Sequence, residues 1–231
     1  MLLVDKAIAY ALSTKTGPTV NLDSKHRILS YQPQTGDVEE RNALDGTSSF
    51  YKRIGLVGID KLVSFKDEAG TPLYAVARAV ADGSREVAIY NKKFQTQNII
   101  QLFNEKYPVD FVIGDVNSDH NGLEIVVAPQ TAGNTVFNVY GMDGAFLYEA
   151  HEEIPHTLVQ VALIDNDADS QDVLVLVNTK ESVMVERYPN KGEVTATVVP
   201  DYARGGTIAA GDIDGDGADE FVIGSGLGQP T

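Results

Sequence analysis

Short apolar runs, each closed by an acidic residue, recur along the chain. LLVD ends at Asp5, GLVGID at Asp60, FVIGD at Asp115, VALID at Asp165 and IAAGD at Asp212, with successive spacings of 55, 55, 50 and 47 residues. A second mark, a Tyr closing an alternating apolar and polar run, falls at Tyr31, Tyr90, Tyr140 and Tyr188, which lie 26, 30, 25 and 23 residues after the matching Asp. Two marks that keep the same phase over four units indicate a repeat array with a period of about 50 residues. Within each unit an apolar run follows the acidic position (LYAVARAV, EIVVA, VLVLV, EFVIG), then a turn, the Tyr-ending run, a second turn such as QPQTG or PNKG, and a more variable segment. β-Branched and aromatic residues dominate these runs and no long 3.6-residue period is present, so the units are read as short strands rather than helices.

Four strands per unit predict the blades of an all-β β-propeller, with repeats at about 1–59, 60–114, 115–164 and 165–211 and an incomplete one at 212–231, in one propeller region spanning 1–231. A β-sandwich is the second reading, while a β-helix calls for a shorter period and an immunoglobulin-like domain for a longer one. The last repeat ends before a Tyr-ending strand, so the expectation is a partial propeller, a fragment of one with roughly six to eight blades. Open sheet edges in such a fragment favour self-association.

Charge narrows the partners. Eighteen Lys and Arg stand against 33 Asp and Glu, a formal charge of −15, which opposes contact with nucleic acid or anionic lipid and favours cations. There is no cysteine, so disulfides, zinc thiolates and thiol nucleophiles are excluded. No apolar run reaches the roughly 20 residues of a membrane span, and the amino-terminal apolar stretch, interrupted by Asp5 and Lys6, does not read as a signal peptide.

The clearest chemistry lies in GDIDGDGADEFVIG. Asp212, Asp214 and Asp216 alternate, Gly217 allows a sharp turn, and Glu220 stands at the ninth position of the loop. Three carboxylates gathered inside one tight loop repel one another unless a hard dication sits between them. The expected calcium ligands are side-chain oxygens of Asp212, Asp214 and Asp216, the carbonyl of Ala218 and the carboxylate of Glu220. Magnesium is less suited because it demands a stricter octahedron. An EF-hand is rejected, since no Glu stands at position twelve and strands flank the loop.

This pattern resembles the FG-GAP repeat of integrin α-subunit propellers and the related bacterial VCBS-type repeats, sharply at residues 207–224 and as periodicity elsewhere. In those families the loop joins the first two strands of a blade and binds calcium. By that resemblance DVNSDHNGLE supplies Asp115, Asn117, Asp119 and, one position late, Glu124, with His120 expected to contribute its backbone rather than its ring. DNDADSQD likewise supplies Asp165, Asp167, Asp169 and a closing Asp172, with Ser170 where Gly is preferred. The units at Asp5 and Asp60 lack alternating carboxylates and are read as blades without metal, their Asp being ordinary turn formers.

No catalytic constellation stands out. His26, His120, His151 and His156 form no H-x-x-x-H pair, and GSGLG at 224–228 is followed by neither Lys nor a helical pattern. The resemblance therefore implies a non-enzymatic recognition, adhesion or scaffold module, extracellular or at a cell surface, that takes a protein or glycan ligand on its loops and is stiffened by calcium. The alternative is the accessory or catalytic propeller of a polysaccharide-degrading lyase or glycosidase.

Overall fold

The computed structural model describes residues 21–22, 27–32, 37–42, 47–53, 59–102, 105–156, 158–165, 170–179, 182–190, 193–199, 206–213, 216 and 218–225. All regular elements among them are strands. The chain divides into two compact units, residues 1–106 and 107–231.

The first unit holds two four-stranded antiparallel sheets, each in sequential order. One comprises β1 (Asn21–Leu22), β2 (Arg27–Gln32), β3 (Asp37–Asn42) and β4 (Ser48–Arg53). The other comprises β5 (Ile59–Lys66), β6 (Pro72–Ala79), β7 (Arg85–Tyr90) and β8 (Thr96–Leu102). Val38 joins Leu62, Val76, Ala88 and the rings of Tyr74, Tyr90 and Phe94 in a buried cluster. Tyr74 and Phe94 stack with centroids 4.6 Å apart.

The second unit repeats the arrangement. Its sheets are β9 (Val109–Gly114) to β12 (Phe146–His156) through β10 (Glu124–Pro129) and β11 (Gly133–Gly141), then β13 (Leu158–Asp165), β14 (Gln171–Asn178), β15 (Val183–Tyr188) and β16 (Thr195–Val199). A hairpin of β17 (Gly206–Gly211) and β18 (Glu220–Ser225) follows. β13 packs between β9 and β17, so the first strands of successive sheets are neighbours. In the four-stranded sheets of this unit the second strands are the most buried. β10 is buried at all six positions, which accounts for the apolar run that follows Glu124, whereas β16 is mostly exposed. The interior here is built from Val126, Phe137, Val139, Val161, Val175 and their neighbours, each contributing about 1.5–3 kcal/mol of transfer free energy. Consecutive four-stranded antiparallel meanders that pack through their first strands are propeller blades.

The repeat is phased differently from the sequence marks in the first unit. Asp115 follows β9, Asp165 ends β13 and Asp212 follows β17, each at the hairpin that leads into the second strand. In the sheet of β5–β8 that hairpin carries Asp67 instead, and in the sheet of β1–β4 the first strand runs into Asp23 in the sequence. Asp60 is the second residue of β5, at the opposite end of the strand, where it pairs with Arg85. Spacings counted from Asp23 are 44, 48, 50 and 47 residues, a more even period than the one read from Asp5 and Asp60. Tyr90, Tyr140 and Tyr188 lie on third strands, but Tyr31 lies on a second. Asp5 lies outside the described residues.

Candidate metal-binding hairpins and an adjoining cleft

Three hairpins of the second unit carry the expected ligand residues. Strand pairing sets Glu124 opposite Gly114, Asp172 opposite Ile164 and Glu220 opposite Gly211. Each closing carboxylate therefore faces the residue just before the first Asp of its hairpin, whatever the length of the loop between. The extra residue before Gly122 and the shortened DNDADSQD loop are both absorbed without moving that register. Gly122 takes a φ of 102°, a conformation that only a residue without Cβ adopts at little cost.

In the hairpin between β9 and β10, Glu124 is fully buried, and its Oε2 accepts a hydrogen bond from the Val116 N–H at 2.9 Å. Its Oε1 lies 2.8 Å from His120 Nδ1, so the His120 ring, expected to be a bystander, contacts the closing carboxylate. Burial raises the Glu124 pKa above the ordinary carboxylate value, and the negative charge of Asp115 pushes in the same direction. Asp115 Oδ1 is buried and has no hydrogen-bond partner. An acceptor in that state costs roughly 1–3 kcal/mol, and a cation relieves the cost. Asn117 Oδ1 accepts from the Asp119 N–H at 3.1 Å, which tightens the turn but leaves Asp119 exposed.

The hairpin between β17 and β18 shares the central feature. Glu220 Oε2 accepts from the Ile213 N–H at 2.9 Å, the same bond from the same loop position. Asp212 is exposed, Asp216 Oδ1 caps the Ala218 N–H at 2.9 Å, and Asp214 lies outside the described residues.

The hairpin between β13 and β14 differs. Asp172 Oδ2 accepts from Arg187 Nε at 2.6 Å, and Asp165 Oδ1 from Gln171 Nε2 at 2.6 Å. A guanidinium already supplies the positive charge there, so Asp172, the expected closing ligand, has another partner. Asp167 and Asp169 lie outside the described residues. Among the described residues, no three His, Asp or Glu side chains stand together as a ready metal cage. What the hairpin after β9 does bring together is one buried carboxylate, Glu124, and one buried unpartnered oxygen, Asp115 Oδ1.

Sequence reasoning missed a cleft beside this hairpin. A cavity of about 380 Å³ is lined by Asn117 and Asp119 of the loop, Phe137 of β11, Tyr148 and Glu149 of β12, and the end of β15 from Tyr188 to Asn190. The Phe137 ring sits edge-on to Tyr188 and Tyr148, at centroid distances of 5.0 and 6.5 Å. Behind it the Tyr188 hydroxyl lies 2.7 Å from Glu152 Oε1 and 2.9 Å from Glu186 Oε2. One phenolic proton cannot fully serve two carboxylates, an arrangement that favours protonation of one of them. Burial, opposed by the bond from Tyr188 and assisted by the charge of Glu152, raises the Glu186 pKa to about 7. The Tyr-ending run pointed to this strand, but nothing in its spacing identified the two carboxylates.

No protein-family model and no curated protein matches the chain. Solved structures do match. A mutant of AofleA from Arthrobotrys oligospora is 12% identical with a TM-score of 0.62, over 95% of this chain and 68% of that one. A streptogramin B lyase is 15% identical with a TM-score of 0.55, over 91% of this chain and 64% of the other. Virginiamycin B lyase from Staphylococcus aureus is 13% identical with a TM-score of 0.52, over 87% and 77%. At such identities the likeness carries the fold, and the fold is an all-β propeller of four-stranded antiparallel blades.

Proposed function

We propose that this chain is a calcium-binding propeller module of the FG-GAP kind, a non-enzymatic recognition or scaffold domain acting outside the cell or at its surface, where calcium is abundant. The observation that carries the reading is the repeated hairpin design. Two closing glutamates, Glu124 and Glu220, occupy the same register and accept the same backbone N–H, and the better-packed hairpin leaves Asp115 Oδ1 buried without a partner. Asp115, Asn117, Asp119 and Glu124 would hold one calcium ion, and Asp212, Asp214, Asp216, Glu220 and the Ala218 carbonyl another. All of these donors are oxygen, the set a hard dication takes. The ion would supply fixed positive charge between strands, and the chain's own groups would hold the hairpin open to receive it.

The matched structures include lyases, so the fold hosts enzymes and does not assign a class. The non-enzymatic reading is favoured because Glu124 and Asp172 are already held by structural partners, Val116 N–H and Arg187. A protein or glycan ligand on the blade loops is the corresponding partner class.

The test is thermal unfolding of the chelator-treated chain against added calcium or magnesium at equal ionic strength. Calcium at about 100 times its dissociation constant adds roughly 2.7 kcal/mol per site. Glu124→Gln keeps an acceptor for Val116 N–H, removes one charge, and abolishes part of that gain. Equal responses to the two metals, or an undiminished calcium response in the variant, would defeat the assignment.

A further inference from the structure

In two hairpins of the second unit the residue just before the closing carboxylate is tied to the first Asp of the preceding sheet. Glu220 accepts the Ile213 N–H inside its own hairpin, whereas Asp219 beside it accepts the Asp165 N–H through Oδ2 at 2.7 Å. One sheet earlier the pattern recurs with different chemistry. Asp172 is held within its own sheet by Arg187, whereas Gln171 beside it donates its N–H to the Asp115 carbonyl at 2.7 Å. The Gln171 side chain also donates, from Nε2 to Asp165 Oδ1 at 2.6 Å. It lies against Gly114, where a Cβ would collide with Gln171 and Leu163, so the glycine before Asp115 lets the two sheets come this close. Asn190 adds a second tie, accepting from the Ser118 N–H at 3.3 Å and donating to Ser170 Oγ at 3.1 Å. Hydrogen bonds thus run from Asp115 through Gln171 and Asp165 to Asp219, from one proposed calcium hairpin to the other by way of the hairpin whose closing acid is held by arginine.

We propose that Asp219 and Gln171 are positioning residues that couple the two calcium hairpins, so that filling either one raises the affinity of the other; this rests on the calcium reading above. The physical basis is shared ordering. Fixing a loop around a ligand costs conformational entropy, and a loop already fixed by its neighbour costs less. Ordering of Glu220 fixes the adjoining Asp219, which fixes the Asp165 amide. Asp165 then fixes Gln171, and Gln171 fixes the Asp115 backbone beside its buried Oδ1. The middle hairpin is held by the Arg187–Asp172 pair without metal, so it transmits between the two sites rather than competing with them. Linkage makes the coupling equal in both directions.

The experiment is calcium titration of the full, metal-stripped chain in competition with a chromophoric chelator. One hairpin is silenced by Asp212→Asn with Glu220→Gln, the other by Asp115→Asn with Glu124→Gln, which gives each single-site association constant. The overall constant for two ions in wild type exceeds the product of the two single-site constants by about fivefold. In the Asp219→Ala background that ratio falls to about one, whereas Asp219→Asn, which keeps an accepting oxygen, retains it. A metal-free measurement accompanies the titrations: amide hydrogen exchange at Asp165 quickens in Asp219→Ala and not in Asp219→Asn. Two ions bound with no excess in wild type, an undiminished ratio in Asp219→Ala, or unchanged exchange at Asp165 overturns the coupling and leaves the metal reading standing. A chain that takes one ion has no pair to couple, which also overturns it, and a chain that takes none overturns both.

Discussion

The hairpin after β5 and the hairpin after β9 open their sheets in the same way and neutralise their acidic residues by different means. At Asp67 the loop is only long enough for a tight turn. Asp67 Oδ1 accepts from the Thr71 N–H at 2.7 Å and Gly70 N–H returns to the Asp67 carbonyl at 2.8 Å, so the carboxylate is satisfied by its own backbone. At Asp115 the loop is several residues longer, the carboxylate is carried inward, and Glu124 is buried beside it. The lesson is that an acidic position in this repeat has to be compensated locally, and the compensator varies: backbone N–H at Asp67, guanidinium at Asp172, a shared proton at Glu186, and in the proposed reading calcium at Asp115.

Three experiments sharpen this contrast, beginning with the shared proton. The folded pKa of Glu186 lies at about 7, above the ordinary value of 4.5. Below pH 4.5 folded and unfolded chains both hold that proton and the contribution is fully present. Between 4.5 and 7 only the folded chain holds it, so stability declines as pH rises, by on the order of 3 kcal/mol in all. Urea unfolding of wild type and Glu186→Gln across that range reads the difference, since the amide can still donate to Tyr188 but cannot titrate. Burial lowers the pKa of His156, which keeps it neutral and costs stability in acid. That effect is common to both proteins and cancels. Parallel profiles would remove the proton from the set of compensators.

Arginine comes next in size. Asp172 is 5% exposed at its side chain and Arg187 is 35% exposed, so Arg187→Ala strands a buried carboxylate whose former partner was partly solvated. The expected loss is about 2 kcal/mol, below the value for a fully buried pair. A change under a few tenths of a kcal/mol in chemical denaturation would show that solvent, not the guanidinium, compensates Asp172. The smallest effect belongs to the self-satisfied turn. Asp67→Ala removes one exposed backbone cap and costs about 0.5–1 kcal/mol, with no change in calcium response. A calcium-dependent difference in that variant would place a metal where the hairpin is closed on itself and erase the contrast.

Fold and hairpins were not equally legible in the sequence. The blades were, because continuous runs such as EIVVA and VLVLV between turn residues leave few alternatives to buried strands. The closing positions in the second unit were also legible, since Glu124, Asp172 and Glu220 share one register despite loops of different length. Asp60 misled for a physical reason: an apolar run beside an Asp looks the same at either end of a buried strand, and only pairing with Arg78 of β6 through Ile59 shows which end it is. The role of the His120 ring, the pairing of Arg187 with Asp172, and the cleft between Tyr148 and Tyr188 were not legible. They depend on side chains brought together from 4 to tens of positions apart by twist and register, which no local pattern encodes.

Neighbouring sheets in the second unit are stitched at these same hairpins. Gln171 N–H donates to the Asp115 carbonyl at 2.7 Å, and Asp165 N–H donates to Asp219 Oδ2 at 2.7 Å. Asn190 reaches both Ser118 and Ser170. A hairpin that loosens therefore withdraws a bond from each sheet it joins, and within this unit disorder starting at one loop would pass to its neighbours on either side, like a seam coming undone.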